Sequence, residues 1–272
     1  MRFDEEALQV TPPLRVGELA FVSGWPVQWP LRNGLPGAEN AVLRTGLPGD
    51  LDGWMAAGEL DVSPVSSLAY MRHRDAWKML PGLSISAWGR LGSATLLSHE
   101  PFQGLGGATV AVPARGGTST ELVRWLMERV FGVDAAFVEH EGAPDELLRA
   151  HAAVLLIGDR AVQAAAQDLV PHRLDLGQAW WQLTQTPFVT TVWACRRSLR
   201  AEVQASLTSL LARSRETARA AMPTIISEAA QRLGLKPEAL EAYYALLNFD
   251  MSPAHEQAMQ LLAEQLGSEG AA

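Results

Sequence analysis

Residues 14–22 alternate apolar with polar or small positions, and this period of two predicts a strand that closes at Ser23-Gly24-Trp25-Pro26. The Gly- and Pro-rich stretch from Leu31 to Asp50 predicts a short strand held between turns. Asp50 stands where an N-cap belongs, ahead of a short helix with Leu51, Trp54 and Met55 on one face and Gly58 as its stop. Ser63-Pro64-Val65-Ser66-Ser67 reads as a short strand ending in hydroxyls. The stretch Leu83 to Ser93 reads as an apolar strand whose exit carries Ser86, Trp88 and glycines. Ala108 to Pro113 is a buried strand. Thr118-Ser119-Thr120-Glu121 has the form of a capping box, opening a helix with Leu122, Val123, Leu126 and Val130 on its apolar face and Gly132 as its stop. Ala136-Phe137-Val138 is a further strand and Asp145 to Ala150 a helix. Val154-Leu155-Leu156-Ile157 is a continuous apolar run of the parallel-sheet kind, closed by Gly158-Asp159.

Beyond Cys195 the period changes to that of helices. Arg200 to Arg219, Pro223 to Leu233, Pro237 to Leu247 and Pro253 to Leu266 fit it, with proline at three of the starts. Strands alternating with helices predict an α/β fold, and the helical tail predicts two lobes whose C-terminal helices return to the first.

At 272 residues the chain can bury a sizeable core. A formal charge of −8, with no basic run longer than Arg196-Arg197, argues against a nucleic-acid partner, because phosphate binding needs a basic face. The single cysteine, Cys195, forbids an internal disulfide and fits a reducing compartment. Met1 to Glu6 lacks the apolar core of an export leader, and no apolar run approaches the length needed to span a bilayer. A cytoplasmic, membrane-free protein is expected. The two lysines, Lys78 and Lys236, lie outside apolar settings, so Schiff-base chemistry is not expected.

The sequence shows no metal-ligand spacing among its scattered histidines, no P-loop and no GxSxG nucleophile elbow. Gly104-x-Gly106-Gly107 precedes a strand where a dinucleotide fingerprint would follow one. The chemistry left is a set of neutral donors at strand and helix ends: Ser23, Ser66, Ser67, Ser86, Ser93, Thr118, Ser119 and Thr120. Three hydroxyls after Gly116-Gly117 exceed what a helix cap requires, and a helix N-terminus binds carboxylate without a full positive charge. Ser86, beside Gly89 at a strand exit, is expected to touch ligand. Ser66 and Ser67 suit either a helix start or a ligand, and Asp159 suits either an N-cap or a ligand contact. Trp88, Trp180, Tyr70, His73 and Cys195 take structural places.

These segments, in this order, resemble the bacterial menaquinone-biosynthesis chorismate dehydratases of the futalosine route. The resemblance is carried by Arg15 to Pro26, Asp61 to Ser67, Ile85 to Leu97, Gly117 to Glu121, Leu155 to Val162 and Asp175 to Trp193. It implies a two-lobed type II periplasmic-binding-protein-like fold with mixed, mainly parallel sheets. Lobe 1 is expected at 1–103 and 196–272 and lobe 2 at 104–195, with a ligand cleft between them. It also implies elimination of water from chorismate, a small dicarboxylate, to give 3-[(1-carboxyvinyl)oxy]benzoate without a metal or other cofactor. Where the family pattern carries an asparagine, this chain has Ser23, which keeps one donor but loses the amide geometry.

With no obvious base in the matched segments, the substrate's own enolpyruvyl carboxylate is expected to take the ring proton. Ser86 and Thr118, Ser119 and Thr120 would then hold the carboxylates, and Ser23 the group that rearranges. Ser23 and Ser86 are the expected catalytic residues; Ser66, Ser67, Ser93, Thr118, Ser119, Thr120 and Asp159 are expected to bind substrate. Two other functions fit the same fold: a sister-family lyase acting on a dehypoxanthine-futalosine-type substrate with a histidine base (His140 or His151 here), and a non-catalytic protein that binds a small anion.

Overall fold

The structure, a computed structural model, describes residues 13–267. Met1 to Glu6, where no export leader is expected, lies outside them, as do residues 268–272 of the tail. The chain opens with β1 (Leu14–Leu19), α1 (Trp25–Arg32), β2 (Ala41–Gly46), α2 (Pro48–Ala56), β3 (Val62–Ser66), α3 (Ser67–His73) and β4 (Trp77–Ala87). Next come β5 (Ala94–Ser98), β6 (Thr109–Val112), α4 (Thr118–Trp125), β7 (Ala136–Glu139) and α5 (Pro144–Ala150). They are followed by β8 (Ala153–Ile157), α6 (Asp159–Ala164), β9 (His172–Asp175) and α7 (Leu176–Thr184). The last strand is β10 (Phe188–Arg196), and the tail is α8 (Ala201–Ala220), α9 (Met222–Leu233), α10 (Pro237–Leu246) and α11 (Pro253–Leu266).

Two five-stranded sheets form, ordered β2-β1-β3-β10-β4 and β7-β6-β8-β5-β9. Each is mixed, with two parallel and two antiparallel neighbour pairs. In each sheet the fourth strand of the order arrives from the other lobe: β5 follows the first sheet's β4, and β10 follows the second sheet's α7. The change of sheet therefore falls after Ala87 and before Phe188, ahead of the expected boundaries at 103/104 and 195/196. The cause is local. Residues 83–98 look continuous in apolar pattern, but Gly89 (φ 122) and Gly92 (φ 75) break the strand and send β5 into the second lobe.

β10 is the centre of the first core. Val192, Trp193 and Cys195 pack with Val62 and Val65 of β3, Leu207 and Leu211 of α8 and Tyr244 of α10. An ion-pair cluster around the buried Asp61 ties the far end of the inner strands: Arg15 Nε and Nη2 donate to Asp61 at 3.0 and 2.8 Å, and Arg196 at the end of β10 pairs with the same carboxylate. The second core joins Leu122 and Val123 of α4, Leu155 of β8 and Trp180 of α7. Leu262 and Leu266 of α11 belong to this second cluster, so the last helix straps the two lobes together. No helix among the described residues is long and apolar enough to cross a membrane.

Two local expectations change. α2 begins at Pro48, so Asp50 is the third helical residue and caps from inside, its Oδ2 accepting from Leu47 N–H at 3.1 Å. α4 begins at Thr118 with Gly117 (φ 55) as its N-cap, so the capping box expected at Thr118 does not form. The left-handed glycine turns the chain, and the Thr118 hydroxyl is left to accept from Leu68 N–H at 3.2 Å.

Candidate active site

The strand exits of both sheets face one another across a narrow cavity of about 50 Å³ that opens to solvent. The first lobe contributes Leu19, Phe21 and Ser23 after β1, Pro48, Ser66 at the end of β3, Ile85 in β4, and Thr190 and Thr191 in β10. The second contributes Leu91, Ser93 and Ala94 before and in β5, Gly116, Thr118 and Ser119 at the start of α4, and Ile157 at the end of β8. All of these lining side chains are neutral, and seven carry hydroxyls. Apolar walls with a few convergent donors are the usual make-up of a small-molecule site.

The hydroxyls differ in what they already hold. Ser66 is committed: its Oγ donates to Asp52 at 2.6 Å and accepts from Ala69 N–H at 3.2 Å, capping α3. Burial pushes the Asp52 carboxyl up, against the two hydrogen bonds from Ser66. Thr190 Oγ1 donates to the Ile85 carbonyl at 3.0 Å. The start of α4 presents Ser119 on the first helical turn, at the positive end of the helix. Among the described residues no cluster of three or more His, Cys, Asp or Glu side chains is arranged to hold a metal ion.

Contacts across the cleft hold the lobes together around this cavity. Asp159, the first residue of α6, accepts from Val22 N–H at 2.9 Å and lies 3.5 Å from Arg232 of α9. Burial pushes the Asp159 carboxyl up, while Val22 N–H and Arg232 work to lower it. Arg115 pairs with Asp50 at 2.9 Å and its carbonyl accepts from Gly49 N–H at 3.3 Å. On the second lobe's side, Asp175 caps α7 at Gln178 N–H and also accepts from Leu91 and Gly92 N–H at 2.9 and 2.7 Å. That carboxylate fixes the turn from which Leu91 and Ser93 reach the cavity.

A family described as menaquinone biosynthesis matches residues 14–267. The chain belongs to this menaquinone-biosynthesis family. It is 32% identical over 239 residues to a Thermus thermophilus protein named chorismate dehydratase, across 81% of this chain and 85% of that one. Among solved structures it resembles protein AF1704 of Archaeoglobus fulgidus, with a TM-score of 0.80 at 20% identity, covering 95% of this chain and 98% of that one. It also resembles the periplasmic aliphatic sulphonate binding protein SsuA of Escherichia coli, with a TM-score of 0.62 at 13% identity, covering 94% and 85%. These two likenesses show the fold, which is periplasmic-binding-protein-like as the sequence resemblance implied.

In this family member the six segments that carried the resemblance converge on one place. Arg15 to Pro26 supplies Leu19, Phe21 and Ser23; Ile85 to Leu97 supplies Ile85, Leu91, Ser93 and Ala94; Asp175 to Trp193 supplies Thr190 and Thr191. The other three supply Ser66, Thr118 with Ser119, and Ile157, leaving only Pro48 and Gly116 from outside the matched segments.

Of the expected site residues, Ser23, Ser66, Ser93, Thr118 and Ser119 line the cavity, and four do not. Ser86 lies outside the cavity. Neighbouring strand residues point to opposite faces, so Ile85 meets the cavity while Ser86 turns away. Its Oγ lies 3.2 Å from Ser84 Oγ and accepts from Asn248 Nδ2 at 3.0 Å, on the side covered by the chain after α10. Ser67 donates to the Val189 carbonyl at 2.6 Å. Thr120 lines an adjoining pocket that shares Ser66, Gly116 and Thr118 with the cavity and carries Asp52, Arg72 and Arg124. Asp159 faces an outer pocket beyond Phe21 and Ile157. Sequence reasoning missed Phe21, Thr190 and Thr191; the last two stood in a segment already singled out, hidden by its apolar neighbours.

Proposed function

We propose that this protein is a chorismate dehydratase, removing water from chorismate to give 3-[(1-carboxyvinyl)oxy]benzoate. The observation that carries the reading is the wall itself: a cavity at the meeting of the family segments, lined by hydroxyls, apolar groups and a helix N-terminus, with every side chain neutral. The named Thermus relative supports it. Neutral donors and helix dipoles suit the two carboxylates of chorismate, because each hydrogen bond to an anion is charge-assisted while the wall adds no counter-ion.

The elimination breaks one C–H bond and one C–O bond on adjacent ring carbons. A base takes the proton from the carbon bearing the enolpyruvyl ether, that electron pair forms the new ring double bond, and the neighbouring hydroxyl departs as water on receiving that proton back from the base. With neutral walls, the base is the enolpyruvyl carboxylate of the substrate, set against its own ring by the cavity. Thr118, Ser119 and the N–H groups of the first turn of α4 hold a carboxylate, and Ser23 and Ser93 face the reacting edge of the ring. Aromatisation drives the step.

Incubation of the purified protein with chorismate tests this. Loss of one water with the ultraviolet signature of an aromatic ether is expected. Chorismate bound but unchanged would make the protein a binding protein, and neither binding nor turnover would remove chorismate as the ligand.

A further inference from the structure

α10 presents two adjacent tyrosines to the first lobe, and they fare differently. Tyr244 has the ordinary fate of a buried phenol: its hydroxyl donates to the Val22 carbonyl at 2.9 Å. Tyr243 is 5% exposed, and its hydroxyl makes no hydrogen bond of acceptable geometry within the structure. It nevertheless lies beside the hydroxyls of Ser93 and Ser23, the two serines that face the cavity from opposite lobes. The ring is held there by Gly92, where an added methyl group would stand 3.2 Å from Cδ2 of the tyrosine. A buried hydroxyl without a partner costs stability, and phenylalanine at this place would avoid that cost.

We propose that Tyr243 is a positioning residue of the site, its O–H donating to Ser93 Oγ when the cavity is filled. A serine that accepts from the phenol turns its single proton elsewhere, and the open direction is the cavity. The chain phenol–serine–substrate oxygen polarises each link, so the serine becomes a stronger donor than it is alone. Ser23, on the other side of the phenol, completes the cluster. This inference rests on the dehydratase reading for the identity of the substrate oxygen.

Tyr243→Phe tests it. kcat/KM for chorismate is expected to fall at least about tenfold, mainly in kcat, while Tm stays equal or rises because only an unpaired hydroxyl is removed. Ser93→Ala is expected to show a similar loss, and the double variant no further loss, since the phenol acts through the serine. Wild-type kcat/KM in Tyr243→Phe would overturn the proposal, as would additive losses, a lower Tm or a variant that does not fold. If wild-type protein does not transform chorismate, the dehydratase reading fails by itself. The tyrosine is then judged by calorimetric titration with chorismate: binding at least about fivefold weaker in Tyr243→Phe upholds it. Equal binding, or none by the wild type, overturns it.

Discussion

The backbone of Gly158 stands so close to the ring of Phe21 that a methyl group on the glycine would lie 2.4 Å from Cδ1. Gly158 has φ 57 and ψ −137 and precedes α6; Gly117 has φ 55 and ψ −138 and precedes α4. The same left-handed turn is used twice in the second lobe, each time to press a bare backbone against the first. At Gly117 the neighbour is Ser66, whose Cβ would lie 3.3 Å from the added methyl. The spacing of the lobes around the cavity is set where side chains are missing.

Gly158→Ala should therefore be expensive. The left-handed backbone alone costs on the order of 1–3 kcal/mol with a side chain, and the ring of Phe21 must also move. Thermal unfolding is expected to show that loss, and steady-state kinetics a rise in KM for chorismate larger than the fall in kcat. An unchanged Tm would show that neither the backbone at Gly158 nor the ring of Phe21 resists a side chain there.

Ser86 and Ser119 separate a hydroxyl near the site from one in it. Ser86→Ala is expected to leave kcat/KM within about twofold while losing on the order of 1 kcal/mol of stability from its contact with Asn248. Ser119→Ala removes a cavity donor and is expected to lower kcat/KM by about 100-fold. Urea unfolding and chorismate kinetics on both variants distinguish the two; equal kinetic losses would put Ser86 back among the contacts.

Asp159→Ala removes the acceptor of Val22 N–H and the partner of Arg232 in one change, and both contacts cross the cleft. The closed arrangement loses support, so the radius of gyration of the free protein measured by X-ray scattering is expected to increase. KM should rise about tenfold with little change in kcat. A lower kcat at unchanged KM would instead place Asp159 in the chemistry.

The Asp61 cluster predicts a pH dependence of stability. Burial opposes ionisation there, but the hydrogen bonds from Arg15 and Arg196 outweigh it and hold the carboxyl at about 2. In the unfolded chain an aspartate titrates at about 4. The folded form thus binds the proton less readily, and the stabilisation is complete above pH ~4 and lost as pH falls through the folded value. Asp61→Asn is expected to lower the urea midpoint at neutral pH, with the gap to wild type closing on acidification. A gap independent of pH would assign the loss to packing.

The four tail helices were legible because proline marks three of their starts and Gly234, with φ 65, ends α9 in the left-handed conformation. β3, β6 and β8 were legible because short apolar runs stand between turn residues. α1 was not: Pro26 and Pro30 both lie within Trp25–Arg32, and a proline in a short helix erases the pattern that announces it. The site was legible as segments more than as residues. Periodicity assigned Ser86 and Ile85 to the same strand, but the face that meets the cavity depends on where the second lobe docks. Tyr243 carried no signal at all, since a phenol on the apolar face of a helix looks like core until its hydroxyl is seen to lack an acceptor.

The placing of β10 between β3 and β4 fixes an order of assembly. As the chain emerges during synthesis, the strands of the second sheet are all present once Asp175 is out. Its partners are close in sequence, which favours early folding. The first sheet, begun at Leu14, still lacks the strand between β3 and β4 at that moment and closes only when residues 188–196 arrive. The sheet begun first is the sheet completed last, and until then the facing edges of β3 and β4 await the strand that joins them.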